Sequence, residues 1–245
     1  MSSNSVNMER ALSLVFAAGF ATSPDFMKEA AERFEGLFRD AGFRVGASHL
    51  FPYGDWSVSR LRQLNEIRKD LTDGGFLRPR SVGGVRLAEE ISKIAENEQS
   101  GQAVLLGHSA GGVACIQAAR RLFESGSRLR IRIVMIGSPK CPIPARAVNP
   151  ADVLYLYGTN RLGRRADPIT LLGRWGKTPP GIVEGVEIVG GHADYFRSRP
   201  PFTDEQGRSN LDRISGRVWD WLMRRQEGES AGSAFSPGAA RLTDE

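Results

Sequence analysis

Four consecutive apolar residues, Ala103-Val104-Leu105-Leu106, run into Gly107-His108-Ser109-Ala110-Gly111-Gly112, and Val113, Ile116 and Ala119 then follow at helical spacing. Few folds accommodate that order. The apolar run reads as a fully buried strand, the glycines let the backbone reverse sharply, and the next segment reads as a helix. Ser109 is therefore expected at the tip of a strand-turn-helix unit, holding a strained backbone, with no room for side chains at the flanking glycines. The Gly-x-Ser-x-Gly pattern alone is weak evidence. With 28 glycines in 245 residues, about 0.3 matches are expected by chance in a chain of this composition. A second match, Gly228-Glu229-Ser230-Ala231-Gly232, follows a polar helix end and has no histidine after it, so it reads as coincidence. The rival use of such a turn is to cradle a phosphate. That would bring Lys-Ser or Lys-Thr after the glycines, or Gly-x-Gly-x-x-Gly spacing, and neither is present.

The rest of the chain alternates strands and helices. Strand-type runs occur at residues 12–16, 43–50, 103–106, 129–136, 153–157 and 186–189. A helix is expected after the first strand, capped by Ser23, started by Pro24, carrying Met27, Ala31, Phe34, Phe38 and Ala41 on its core face, and stopped by Gly42. The next should bury Val58, Leu61, Leu64, Ile67 and Leu71. Residues 72–84 read as a Gly-rich loop, 85–97 and 112–124 as helices, and 210–225 as a last helix with Leu211, Ile214, Val218 and Leu222 inward. Such alternation implies an α/β fold with a mostly parallel sheet of about six strands, helices on both faces and no large cap domain. One domain is expected over 1–226. Residues 227–245, rich in Gly, Ser, Ala and acids, are expected to be a disordered tail.

Charge narrows the function classes. The excess of 33 Lys plus Arg over 28 Asp plus Glu, +5, is mild and spread over helix surfaces and turns, so no nucleic-acid partner is expected. Cys115 and Cys141 match no metal or redox spacing and read as free thiols. Residues 11–21 are too short to span a membrane. They could pass for the apolar part of a secretory signal, but serve better as the first core strand, so a cytoplasmic location is expected.

Serine needs a base to take its proton, and the chain has three histidines, His49, His108 and His192. His49 precedes the nucleophile. His108 adjoins it, with a side chain expected to point away from the hydroxyl. His192 follows the last strand, at the carboxyl edge of the sheet where a base belongs. The carboxylate that orients it should lie between Ser109 and His192 in chain order. Asp167, past the end of the fifth strand, leads. Glu184, just before the last strand, and Glu187, near its amino end, compete. Oxyanion donors should be the backbone N–H groups of Ala110 and Phe20, and Phe20, Trp56, Phe51 and Trp175 are candidate walls of an apolar pocket.

Gly107 to Gly111, Tyr157-Gly158-Thr159 with Asp167-Pro168-Ile169, and His192-Ala193-Asp194-Tyr195-Phe196 resemble compact esterases and lipases of the α/β-hydrolase family over residues 11–225. The resemblance implies acylation of Ser109 by a small-molecule or lipid ester and deacylation by water, with no metal or organic cofactor. Many relatives carry further antiparallel strands and a multi-Gly oxyanion loop, where this chain has Ala18-Gly19-Phe20. An Arg-rich insertion, 161–165, displaces the acid from its strand. A thioesterase or acyltransferase would use the same three residues. The contrasting class is a non-catalytic binding protein whose basic loop, 161–174, meets an anionic partner or membrane surface.

Overall fold

A computed structural model describes residues 10–55, 57–72 and 81–233. Six strands form one sheet: β1 (Arg10–Ala17), β2 (Phe43–Leu50), β3 (Gln102–His108), β4 (Arg130–Ile136), β5 (Val153–Thr159) and β6 (Ile182–Glu187). Every pairing is parallel, and the order is β2-β1-β3-β4-β5-β6. The central strands read as continuous apolar runs because helices cover both their faces. Leu14, Val15, Leu105 and Leu106 are fully buried. The stretch resembling a signal segment is thus the core of β1, paired on both edges.

Helices α1 (Lys28–Asp40) and α5 (Asn210–Ser233) cover one face, packing Phe34, Phe38, Ile214, Val218 and Trp221 against Leu14, Phe16, Leu106 and Leu156. On the other face, α3 (Gly83–Glu98) and α4 (Ala110–Glu124) pack Leu87, Ile91, Val113 and Ile116 against Val15, Leu105, Ile133 and Tyr155. Burying each such side chain contributes roughly 1.5–3 kcal/mol. The chain leaves β1 for one face and β3 for the other. A crevice therefore opens between their carboxyl ends, the usual ligand position in an open α/β sheet.

Four expectations need correction. First, α1 begins at Lys28 without a side-chain cap, because successive turns at Ser23 to Lys28 use the backbone instead. Second, α2 (Arg60–Thr72) is rotated from the face its leucines suggest: Gln63, Glu66, Ile67 and Asp70 are buried, while Leu61 and Leu64 are exposed. Its inward polar groups are all bonded. Gln63 spans two loops, Glu66 pairs with Arg86 at 2.8 Å, and Asp70 accepts from Tyr53 Oη at 2.9 Å and from the Val82 and Gly84 amides. Such bonding offsets the desolvation that would otherwise keep them outside.

Third, β6 starts earlier than the Val186 to Val189 run suggests. As an edge strand, half exposed, it lacks a continuous apolar signature. The Asn210 side chain takes both the Val189 N–H and C=O, at 2.8 Å each, ending the ladder and turning the chain toward His192. Glu187 is consequently the last residue of β6, and Glu184 lies inside it. Fourth, α5 continues through Ser233, past the expected helix end at 225; of the expected tail, residues 234–245 lie outside the described residues. The second Gly-x-Ser-x-Gly match lies within this helix, with no strand before it.

Candidate active site

Ser109 follows β3 directly and caps α4 with φ 56° and ψ −132°, a conformation that costs a non-glycine residue on the order of 1–3 kcal/mol. The neighbours enforce it. Ser109 N–H donates to Ile136 O at 3.0 Å, and its carbonyl accepts from Gly112 N–H at 3.1 Å. A Cβ on Gly111 would overlap the Ala17 carbonyl, and one on Gly107 would overlap Gly112. Only hydrogen lets β1, β3 and α4 approach this closely.

The loop after β1 lies against the same turn. A Cβ on Gly19 would sit 2.5 Å from Ser109 Cβ and 3.0 Å from Ala110 N, and Phe20 is one residue beyond that contact. Ala110 opens α4, so its N–H has no acceptor within the helix. Ala21, at φ 48°, donates its N–H to Gln63 Oε1 at 2.9 Å, and Gln63 donates in turn to Asp55 O at 2.7 Å. This buried glutamine anchors the Phe20 loop, and no sequence signal separated it from a surface residue of α2.

His192 lies within hydrogen-bonding reach of two partners, Ser109 Oγ 3.0 Å from Nε2 and Asp167 Oδ2 2.8 Å from Nδ1. Asp167 is fully buried and caps the short 3-10 turn Pro168–Leu171, where its Oδ1 accepts the Ile169 N–H at 2.9 Å. Burial by itself would raise its pKa. The hydrogen bond and charge of His192, with the Tyr195 hydroxyl and the Ile169 amide, outweigh burial and hold it below the ordinary carboxylate value. Glu184 and Glu187 turn the other way, to Arg217 and Arg213 on α5.

Two residues join this arrangement without being assigned a role from sequence. Tyr195 Oη accepts from Gly158 N–H at 2.7 Å and donates to Asp167 Oδ2 at 2.9 Å, tying the carboxylate to the end of β5. His108 turns from the Ser109 hydroxyl to His192. Its ring stacks on His192 at 4.8 Å, and its Nε2–H donates to the His192 carbonyl at 3.0 Å. Burial, with the neighbouring His192 adding to it, pushes the His108 pKa down to about 3, so it is neutral. Its Nδ1 has no hydrogen-bond partner among the described residues. A histidine beside Ser109 was visible in the sequence; its contact with His192 needed the fold.

Of the other singled-out residues, His49 stacks on Phe16 at 5.6 Å, away from the serine, and Phe51 packs on the α1 side. Trp175 meets Tyr155 edge-on at 4.7 Å, and Phe20 is partly buried beside the opposite core. Trp56 lies outside the described residues. Cys115 and Cys141 are buried free thiols. A cleft of about 410 Å³ opens beside the His192 loop, lined by Asp25, Phe26, Glu29, Ala193, Phe196 and Arg197 among others.

No protein-family model and no curated protein matches the chain. Solved structures similar to it include Trichoderma reesei cutinase with a phosphonate inhibitor, at 15% identity over 59% of each chain and a TM-score of 0.38. The match thus spans less than two thirds of the cutinase. The RedJ thioesterase of the Streptomyces coelicolor prodiginine pathway is similar at 12% identity, over 85% of this chain and 89% of that one, with a TM-score of 0.48. MGS-MChE2, an alpha/beta hydrolase enzyme from the metagenome of Mar Chica lagoon sediments in Morocco, is similar at 14% identity over 89% and 93%, with a TM-score of 0.49. The parallel sheet in the order β2-β1-β3-β4-β5-β6, with a strained serine turning β3 into α4, makes this an α/β-hydrolase fold.

Proposed function

We propose that the chain is a serine hydrolase that cleaves a carboxylic ester through an acyl-enzyme on Ser109. The observation carrying this reading is the continuous chain from Ser109 Oγ through His192 to the buried Asp167, at 3.0 and 2.8 Å, on a serine held at φ 56°. His192 Nε2 takes the hydroxyl proton as Oγ attacks the ester carbonyl. Asp167 accepts the Nδ1–H, fixing the tautomer and stabilising the imidazolium. The tetrahedral oxyanion is met by the Ala110 and Phe20 amides; losing one such donor typically costs about 10²-fold in rate. His192 then returns the proton to the departing alkoxide oxygen as the carbon–oxygen bond breaks. A water molecule, deprotonated by His192, attacks the acyl carbonyl; the carbon–Oγ bond then breaks as His192 returns the proton to Oγ, releasing the acid and free Ser109.

The test is hydrolysis of p-nitrophenyl esters of graded acyl length by wild type and Ser109→Ala. The variant is expected to lose about 10⁴-fold or more of kcat. Equal activity of the two proteins would overturn the reading.

A further inference from the structure

Among the described residues, seven large apolar side chains are exposed, and five of them, Leu61, Leu64, Leu162, Leu171 and Leu172, belong to segments that follow the carboxyl ends of β2 and β5. Because the sheet is parallel, those segments leave the same edge that carries Ser109, and they flank it on both sides. Leu162, Leu171 and Leu172 are 76%, 58% and 53% exposed. Their loop, residues 160–181, also holds Arg161, Arg164, Arg165, Arg174 and Lys177, and its one acid is Asp167, buried on His192. Arg161 pairs with Glu205, and Arg165 lies over the Tyr157 ring at 3.7 Å. Arg164, Arg174 and Lys177 are exposed. Among the other acids in segments that follow strand carboxyl ends, Asp25 and Glu29 line the cleft beside α1 with Arg197 and Arg199, Asp55 accepts from Ser57, Asp194 pairs with Arg197, Asp204 with Arg208 and Arg213, and Glu205 with Arg161.

We infer that this rim docks on an anionic phospholipid surface and presents the Ser109 crevice to esters held there. Aliphatic side chains interleaved with Arg and Lys suit such a surface: the leucines enter the acyl boundary while the cations meet phosphates. A second copy of the chain fits poorly, since the same cationic loop would face itself. The contact is peripheral, since no helix among the described residues is long and apolar enough to cross a membrane. The inference takes only its substrate from the ester-hydrolase reading, so binding is tested with catalysis removed.

The experiment is co-sedimentation of the full-length Ser109→Ala protein with vesicles of phosphatidylcholine, alone or with added phosphatidylglycerol. Binding is expected to require phosphatidylglycerol and to weaken with salt. Each cation near the surface strengthens it by about fivefold, so Arg164→Glu with Arg174→Glu should weaken it by about tenfold or more. Leu171→Ser with Leu172→Ser should also weaken it, by several-fold. All four side chains are exposed, so the fold tolerates their replacement. Arg10→Glu with Arg128→Glu, at the opposite sheet edge, changes net charge equally and should leave affinity within about twofold. Three results would overturn the proposal: no preference for the anionic vesicles, equal losses in the two charge-reversed pairs, or leucine variants that bind like the parent. The last would mean attraction to any acidic surface, an acidic protein included. If vesicle binding holds while Ser109→Ala hydrolyses esters like wild type, the docking surface stands and the hydrolase reading falls.

Discussion

The turn after β3 and the loop after β5 supply the two ends of one hydrogen-bond chain, yet they are held by different physics. At Ser109 the constraint is contact: the backbones of β1, β3 and α4 approach so closely that Gly107 and Gly111 admit no side chain. At Asp167 it is polar bonding within a long, largely exposed loop. The carboxylate is fixed by Ile169 N–H, Tyr195 Oη and His192, and the Asp167 carbonyl accepts from Thr170 Oγ1 at 2.6 Å. The Ser109 end thus tolerates no added volume. At the Asp167 end only outlying positions such as Gly163 have open space, and the carboxylate itself depends on its hydrogen bonds.

The largest expected effect is on turnover. Asp167→Asn should lower kcat by about 10⁴-fold, the loss typical when the orienting carboxylate no longer fixes the tautomer. Glu184→Gln and Glu187→Gln, which break only partly exposed pairs with Arg217 and Arg213, should cost about 0–1 kcal/mol of stability and leave kcat unchanged. Steady-state kinetics on the three variants checks this, and equal losses would remove Asp167 from the orienting role. Gly111→Ala should destabilise by about 3 kcal/mol, an overpacking cost with backbone as the obstacle. Gly163→Ala, in open space at φ +71°, should lose only about 1–2 kcal/mol from its left-handed backbone. Urea unfolding measures both.

Tyr195→Phe removes a donor from Asp167 and leaves the Gly158 N–H without its acceptor. It should lose about 1–3 kcal/mol of stability and about tenfold to a hundredfold in kcat, with KM little changed. A further effect concerns pH. His108 is buried and neutral with its pKa held near 3, whereas the unfolded chain protonates it near its ordinary value of 6.5. Between those values the unfolded state binds the extra proton, so stability is lost as pH falls from 6.5 toward 3, at up to about 1.4 kcal/mol per pH unit. Unfolding free energies of wild type and His108→Asn at pH 7, 6 and 5 should diverge in slope, the variant being flatter.

The sequence made most of the scaffold legible, because strands buried on both faces must be continuous apolar runs and helices must alternate with them. Where burial was one-sided the reading slipped. β6 sits at an edge, so its apolar residues do not coincide with its hydrogen-bonded ones. In α2 the leucine spacing pointed outward, since the inward positions are taken by Gln63, Glu66 and Asp70, polar groups that satisfy neighbouring loops. Ser109, His192 and Asp167 could be singled out by chain order and scarcity, and the fold brings them within hydrogen-bonding distance. Tyr195, His108 and Gln63 could not be assigned roles that way. Each acts through a partner 28 to 84 residues distant, on contacts that exist only after the sheet has formed.

The most direct test of the central claim is covalent labelling of the full chain by a fluorophosphonate, with the adduct located by mass spectrometry. The expected result is a single phosphonylated residue, Ser109, with labelling lost in Ser109→Ala, strongly slowed in His192→Ala and unchanged in Ser230→Ala. An adduct on Ser230, or an unlabelled Ser109 in folded wild type, would contradict it.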